Sequence, residues 1–159
     1  MPDGARLYEE DFFAWTQDQA ARLRALPPEA RGNGLDVEHL AEEIEDMGRS
    51  ERRALRSQLA NIALHLLKLE FLPDRQPAAH WRSELSGFRA EVEELLADSP
   101  SLRPRLPAEY AEAWTKAVRQ FAPLAEAAEV EPSALSPRVP RYDLEDQILN
   151  PDWLPPYDR

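Results

Sequence analysis

From Val37 to Leu69 the apolar residues keep one helical phase, and that continuity constrains the fold more than any other feature. Val37, Leu40, Ala41, Ile44 and Met47 recur at three- and four-residue spacings. Leu55, Leu59, Ile62, Leu66 and Leu69 then resume the same stripe beyond Gly48. Retained phase predicts a single helix of about 35 residues, with Asp36 as its N-cap, acidic residues in its first turns, and Pro73 as its stop. Gly48 is its weak point, about 1 kcal/mol worse than Ala, and a break there is the alternative.

The prolines divide the rest of the chain. They cluster at 27–28, 73–77, 100–107 and from 132 onward, and helical periodicity fills the intervals. A first helix is predicted from about Leu7 to Leu26, with Tyr8, Phe12, Trp15, Leu23 and Leu26 on one stripe. Pro27-Pro28 and the Gly32-Asn33-Gly34 turn end it. A third helix covers about Ala79 to Asp98, with Trp81, Leu85, Phe88, Val92 and Leu95 inward. A fourth opens near Pro107 and carries Tyr110, Trp114, Ala117, Val118 and Phe121, and Pro123 is expected to kink or end it.

From Glu131 to Arg159 the tail holds six prolines. One short helix is expected there, capped by Asp143 and carrying Leu144, Ile148 and Leu149. Tyr142, Trp153 and Tyr157 should pack the tail back on the body. The expected fold is all-α: a four-helix bundle-like single domain over 1–159, with a long second helix, a helical body at 7–130 and a Pro-rich C-terminal tail at 131–159.

Nineteen Lys and Arg stand against thirty Asp and Glu, a formal net charge of −11. Such a surface repels phosphate backbones and anionic lipid, which disfavours generic nucleic-acid or membrane binding. The most apolar stretch, Leu59 to Leu72, contains Asn61, His65, Lys68 and Glu70 and falls short of the ~20 apolar residues that span a bilayer. The N-terminus does not read as a signal peptide, and there is no cysteine. A reducing, cytoplasmic setting is the natural expectation.

Chemistry-bearing residues concentrate in the long helix. Glu42-Glu43-Ile44-Glu45-Asp46 places Glu42 and Asp46 at i,i+4, the spacing by which helical bundles hold divalent metals when a second helix adds carboxylates, here Glu91, Glu93 and Glu94. This EExxD run is similar to the EExxE element of the all-α nucleoside triphosphate pyrophosphatases. A solvated helix surface pairing its acids with Arg49, Arg52, Arg53 and Arg56 gives the same sequence and is the simpler account.

Val37, Ile44, Glu51, Gln58 and His65 are successive heptad positions, so the apolar stripe turns polar in its second half. The stripe drifts by about 20° per heptad, so exposure is one reading. If the three face inward, they need internal partners, either as a network fixing helix register or as a His–carboxylate site. The arginines at 49, 52, 53 and 56 share a face, and Arg82 follows Trp81. Arg49, Arg53 and Arg82 are candidate anion or partner contacts, with ion pairing to the many acids the cheaper account. No phosphate loop, nucleophile elbow or HExxH motif is present.

The ordered run of motifs resembles a known family. Tyr8-Glu9-Glu10-Asp11-Phe12-Phe13-Ala14-Trp15-Thr16 and Leu40 to Glu51 look like its signature blocks. His65-Leu66-Leu67-Lys68, Trp81-Arg82, Ser99-Pro100-Ser101-Leu102 and Leu149-Asn150-Pro151-Asp152-Trp153-Leu154-Pro155 follow in register. Together they resemble the bacterial domain of unknown function 29 family. The resemblance implies an all-helical, stand-alone bacterial protein and no particular activity. The family motif includes the Glu43, Glu51, His65 and Trp81-Arg82 positions. Leu69 and Phe71 depart from the aromatic and Tyr residues common in similar proteins, and Pro123 interrupts a helix usually written through.

Two functional expectations follow. The first is a protein-interaction or regulatory module, suggested by charged helices without a complete catalytic motif. The second is a metal-dependent hydrolase of nucleotides or phosphoesters, with Glu42, Glu43 and Asp46 as divalent-metal ligands beside Glu51, and with Glu51 and His65 as catalytic groups.

Overall fold

A computed structural model describes residues 3–72, 77–131, 133 and 135–156. Pro73 and Tyr157, singled out from the sequence, lie outside the described residues. The fold is all-α, with no strand among the described residues. Five α-helices follow in order: α1 (Gly4–Glu10), α2 (Phe12–Ala25), α3 (Val37–Phe71), α4 (Ala78–Asp98) and α5 (Leu106–Ala127). No helix is long and apolar enough to cross a membrane, among the described residues.

The expected first helix is two helices, and Asp11 is the reason. Its backbone is extended at φ −158° and ψ 91°, which ends α1 and frees its carboxylate to cap α2 by accepting from the Ala14 N–H at 2.9 Å. The same carboxylate accepts from the backbone N–H and hydroxyl of Ser101, at 2.8 and 2.7 Å. The Ser99 hydroxyl accepts from the Phe13 N–H at 3.0 Å. The orphan Phe13 donor of the first turn of α2 is thus satisfied from 86 residues away, and the cap residue Asp11 in turn holds Ser101, 90 residues on.

The long helix forms as the retained phase requires, unbroken over its 35 residues. Asp36 caps it through the His39 N–H at 3.2 Å. Gly48 is no weak point but a contact. A Cβ built on it would fall on the Thr16 hydroxyl oxygen and crowd Phe13. Thr16, Ala20 and Ala41 are fully buried, so small residues line this face and allow close helix approach. Bulkier residues of the predicted stripes are displaced: Leu40, Met47 and Tyr8 are exposed. Tyr8, Phe12 and Trp15 pack on one another instead, with ring centroids 4.9 to 5.8 Å apart.

The chain divides into two compact units, Met1–Ala54 with Glu94–Pro104, and Leu55–Glu93 with Arg105–Arg159. The contacts just described belong to the first. The core of the second is built from Leu55, Leu59, Ile62, Leu66 and Leu67 of α3, Leu85 and Val92 of α4, and Trp114 and Phe121 of α5, all essentially without solvent exposure. Each such large side chain contributes about 1.5–3 kcal/mol by leaving water.

Pro123 neither ends nor breaks α5, which runs on to Ala127. The hydrogen bond it removes would have ended on the Arg119 carbonyl. Both residues lie on the exposed face, where water replaces the missing donor. Helix α5 ends instead with Glu129 in the left-handed region at φ 55°. There Val130 N–H donates to Ala125 O at 2.9 Å and Glu129 N–H to Glu126 O at 3.2 Å. Those two bonds define a Schellman ending, in which Gly is the usual residue at the Glu129 position.

The tail packs back within the second unit, with Leu135, Tyr142 and Ile148 buried. The expected short helix is a single π turn, Leu144–Ile148, whose Ile148 and Leu149 N–H groups donate five residues back. Asp143 caps it as expected, accepting from the Glu145 and Asp146 N–H groups.

Candidate functional site

The acidic block of α3 is a solvent face. Glu42 and Glu43 are exposed and Asp46 is half-buried. Glu45 is gripped by both terminal nitrogens of Arg24, and Asp46 pairs with Arg49. The Arg24 hydrogen bond holds the Glu45 carboxyl below the usual glutamate range. Among the described residues no three acidic or histidine side chains gather closely enough to hold a metal ion.

Two of the three seam residues, Gln58 and His65, find partners on α4. In the first unit, Glu51 is half-buried, and burial first and the charge of Asp98 second push its carboxyl up. In the second, Gln58 donates to Glu91 at 2.6 Å, and His65 Nε2 lies 2.8 Å from Glu84 Oε2. Within the second unit, the pairings 58 with 91 and 65 with 84 advance by seven on one helix and retreat by seven on the other, the spacing of an antiparallel heptad register. The inward reading holds at His65, which is only 6% exposed, while Glu51 and Gln58 are half-buried.

Around His65 both ring nitrogens are engaged. Nδ1 lies 2.8 Å from the Asn61 carbonyl and Nε2 faces Glu84, so both ring nitrogens meet oxygens. The Glu84 carboxyl is held below the usual glutamate range, first by the His65 hydrogen bond and then by the charges of His65, His80 and Lys68. His80 Nε2 reaches Glu84 Oε1 at 3.3 Å, and the Lys68 ammonium stands 5.7 Å from the Trp81 ring centroid. The signature residues His65, Lys68 and Trp81 thus gather at one place in the second unit, whereas Arg82 beside them is exposed.

Glu51 and His65 do not form a catalytic pair. Fourteen residues of one unbroken helix separate them, about 21 Å of rise. Glu43 stands about 33 Å from His65 by the same measure. Of the candidate anion contacts, Arg49 is spent on Asp46 and Glu45, and Arg53 donates to the Ser50 hydroxyl at 2.9 Å.

Two buried charges serve the second unit. Glu109 accepts from Arg56 Nε at 2.7 Å. Arg89, 7% exposed, donates to the carbonyls of Gln147, Ile148 and Trp153 at 2.7 to 3.0 Å, and more weakly to Pro151. It neutralises the carbonyl end of the π turn and fastens the tail to α4.

An unfilled feature of the second unit is a groove of about 530 Å³ beside the end of α5. Val118, Ala122 and Ala125 of α5 line it, together with Val130 and Leu135 beyond the helix. Glu126, Glu129 and Glu131 stand around it, and among the described residues no basic side chain lines it.

The family model described as Domain of unknown function DUF29 matches residues 7–154. The chain belongs to the DUF29 family. It is also similar to an α-helical protein of unknown function from Rhodospirillum rubrum whose crystal structure is solved. The identity is 33%, the TM-score 0.74, and the match covers 91% of this chain and 92% of that one. No curated protein matches the chain.

Within this DUF29 chain, the sequence reading finds His65 and the seam but misses Glu84, Arg89 as a tail clamp, and the groove. A signal for the groove was available. Three glutamates between 126 and 131, with no basic residue in the last turn of α5, set negative charge against the negative end of a helix dipole.

Proposed function

We propose that the chain is a non-catalytic interaction module whose docking surface is the groove beside the C-terminal end of α5. One observation carries this reading: an open apolar concavity of about 530 Å³ stands beside a core in which, among the described residues, no buried side-chain polar atom lacks a partner. Ligand sites occupy about 300–1,000 Å³ and combine apolar walls with a few polar groups at the edge. The metal-dependent hydrolase reading lacks such support, because its ligand set lies on an exposed helical face remote from His65. A bacterial cytoplasm is the setting we assign, supported by the cysteine-free composition and the family.

A photo-crosslinking amino acid at Ala122, which is exposed within the groove, tests the reading in the cells that make the protein. Gly87, exposed on α4 with nothing within 4 Å of an added Cβ, is the control position. A discrete adduct from position 122 that is absent from position 87 is expected. No adduct from 122, or the same adducts from both, contradicts the reading.

A further inference from the structure

We infer that the occupant of this groove is a basic amphipathic helix of another protein, its apolar face in the concavity and its Lys and Arg residues on the glutamate rim. The inference rests on the docking reading and adds the chemical class of the partner.

The free chain carries an electrostatic conflict at this end of α5. Glu126 lies in the last turns of α5, and Glu129 and Glu131 follow directly, where unpaired carbonyls already concentrate negative charge. Among the described residues no ion pair reaches any of the three. Some acids are answered, as Arg24 holds Glu45, Arg56 holds Glu109 and Glu112, and Arg141 holds Glu70, whereas exposed ones such as Glu42 and Glu43 stand in water without an ion pair among the described residues. What sets the rim apart from those is its place, at the negative end of a helix and around an apolar concavity.

Glu129 sharpens the point. It occupies the left-handed position of the Schellman ending, where a glycine is free of the backbone strain and carries no charge. Backbone strain and dipole repulsion both act against glutamate there. A cation arriving from outside relieves the repulsion, and the apolar floor supplies the surface that lets it stay.

Charge also decides against other occupants. An acidic peptide, a phosphate-bearing ligand or a second copy of this chain, itself at −11, meets repulsion at the rim. A purely apolar segment leaves three carboxylates partly desolvated and unpaired. A helix with leucines on one stripe and lysines or arginines flanking it satisfies the floor, the rim and the dipole together.

The test uses the full chain and three labelled synthetic peptides of roughly 15 residues, long enough to hold a helix on binding. One carries a Leu stripe flanked by Lys and Arg. The second keeps the Leu stripe with Glu in place of the cations, and the third keeps the cations with Ser in place of Leu. Fluorescence anisotropy is expected to show binding of the first alone. That affinity should fall at least about tenfold in the Glu126→Gln/Glu129→Gln/Glu131→Gln variant, and fall as ionic strength rises from about 0.05 to about 0.5 M. The triple variant itself should melt slightly higher than wild type, which shows that it is folded.

Equal affinity for the cationic and anionic Leu peptides, or no effect of the triple variant, overturns the inference. If Ala122→Arg weakens both of those peptides alike, the groove remains a docking site and only the cationic class fails. If no peptide binds and the Ala122 crosslinker captures nothing, the docking reading fails with it.

Discussion

His65 and Glu84 hold each other between α3 and α4, with imidazole Nε2 2.8 Å from the carboxylate and Nδ1 2.8 Å from the Asn61 carbonyl. The Phe88 ring stands edge-on at 5.0 Å from the imidazole, so the polar contact is embedded in an apolar one. Its place in the heptad register makes it a locking device between the helices. A chemical step would need a second group aimed at a substrate, and Glu51 is four turns away.

The pair has a pH signature. The Glu84 carboxyl is depressed in the folded chain, so its contribution to stability is present above the unfolded value of about 4.3 and is lost as pH falls through the lower folded value. Glu84→Gln should therefore melt below wild type at neutral pH, with the gap closing as the buffer is acidified below about 4.3. A gap independent of pH over that range would show that the carboxylate charge is irrelevant.

Gly48 and Thr16 test the close approach of α2 and α3. Helix propensity alone makes Gly48→Ala stabilising by about 1 kcal/mol. Contact with the buried Thr16 hydroxyl, itself donating to Phe13 O at 2.7 Å, predicts a loss of about 1–3 kcal/mol instead. In a double-mutant cycle Thr16→Ala should recover part of that loss. Denaturant melts of the four proteins decide the sign.

These two relationships show what was readable in the sequence and what was not. Periodicity located α3, α4, α5 and the polar seam, because burying one face of a helix leaves a 3.6-residue trace. It assigned the wrong inner face to α2, because hydrophobicity weights bulky residues while the contact is made by Thr16, Ala20, Ala41 and Gly48. Asp11 looked like one acid among several in a helical run, and only distant Ser99 and Ser101 reveal it as a cap. Glu84 and Arg89 carry no local mark of burial, since their partners are 19 and 58 to 64 residues away. The groove is legible only as misplaced charge, and its apolar walls come from two segments that no single periodicity joins.

Arg89 is predicted to govern the tail. Arg89→Ala leaves buried carbonyls of Gln147, Ile148 and Trp153 without their donor, a loss of about 2 kcal/mol or more. Lysine cannot restore a planar fork that serves several acceptors, so Arg89→Lys should resemble Arg89→Ala. Hydrogen exchange should accelerate first at the Ile148 and Leu149 amides. Uniform acceleration across the chain would instead indicate general core damage.

Divalent metal separates the module from the hydrolase. Millimolar Mg²⁺ or Mn²⁺ should leave the melting temperatures of wild type and Glu43→Gln alike, since a ligand stabilises only a fold that holds it. A rise in wild type that Glu43→Gln abolishes would establish a metal site on the acidic face of α3.

The most direct measurement is a two-dimensional amide spectrum of the isotope-labelled full chain, titrated with the cationic Leu-striped peptide. Shifts should centre on Val118, Ala122, Ala125, Val130 and Leu135 and spare Glu42, Glu43, His65 and Glu84. Shifts centred on the acidic face of α3 or on the His65–Glu84 pair, with the groove amides unmoved, would contradict the account.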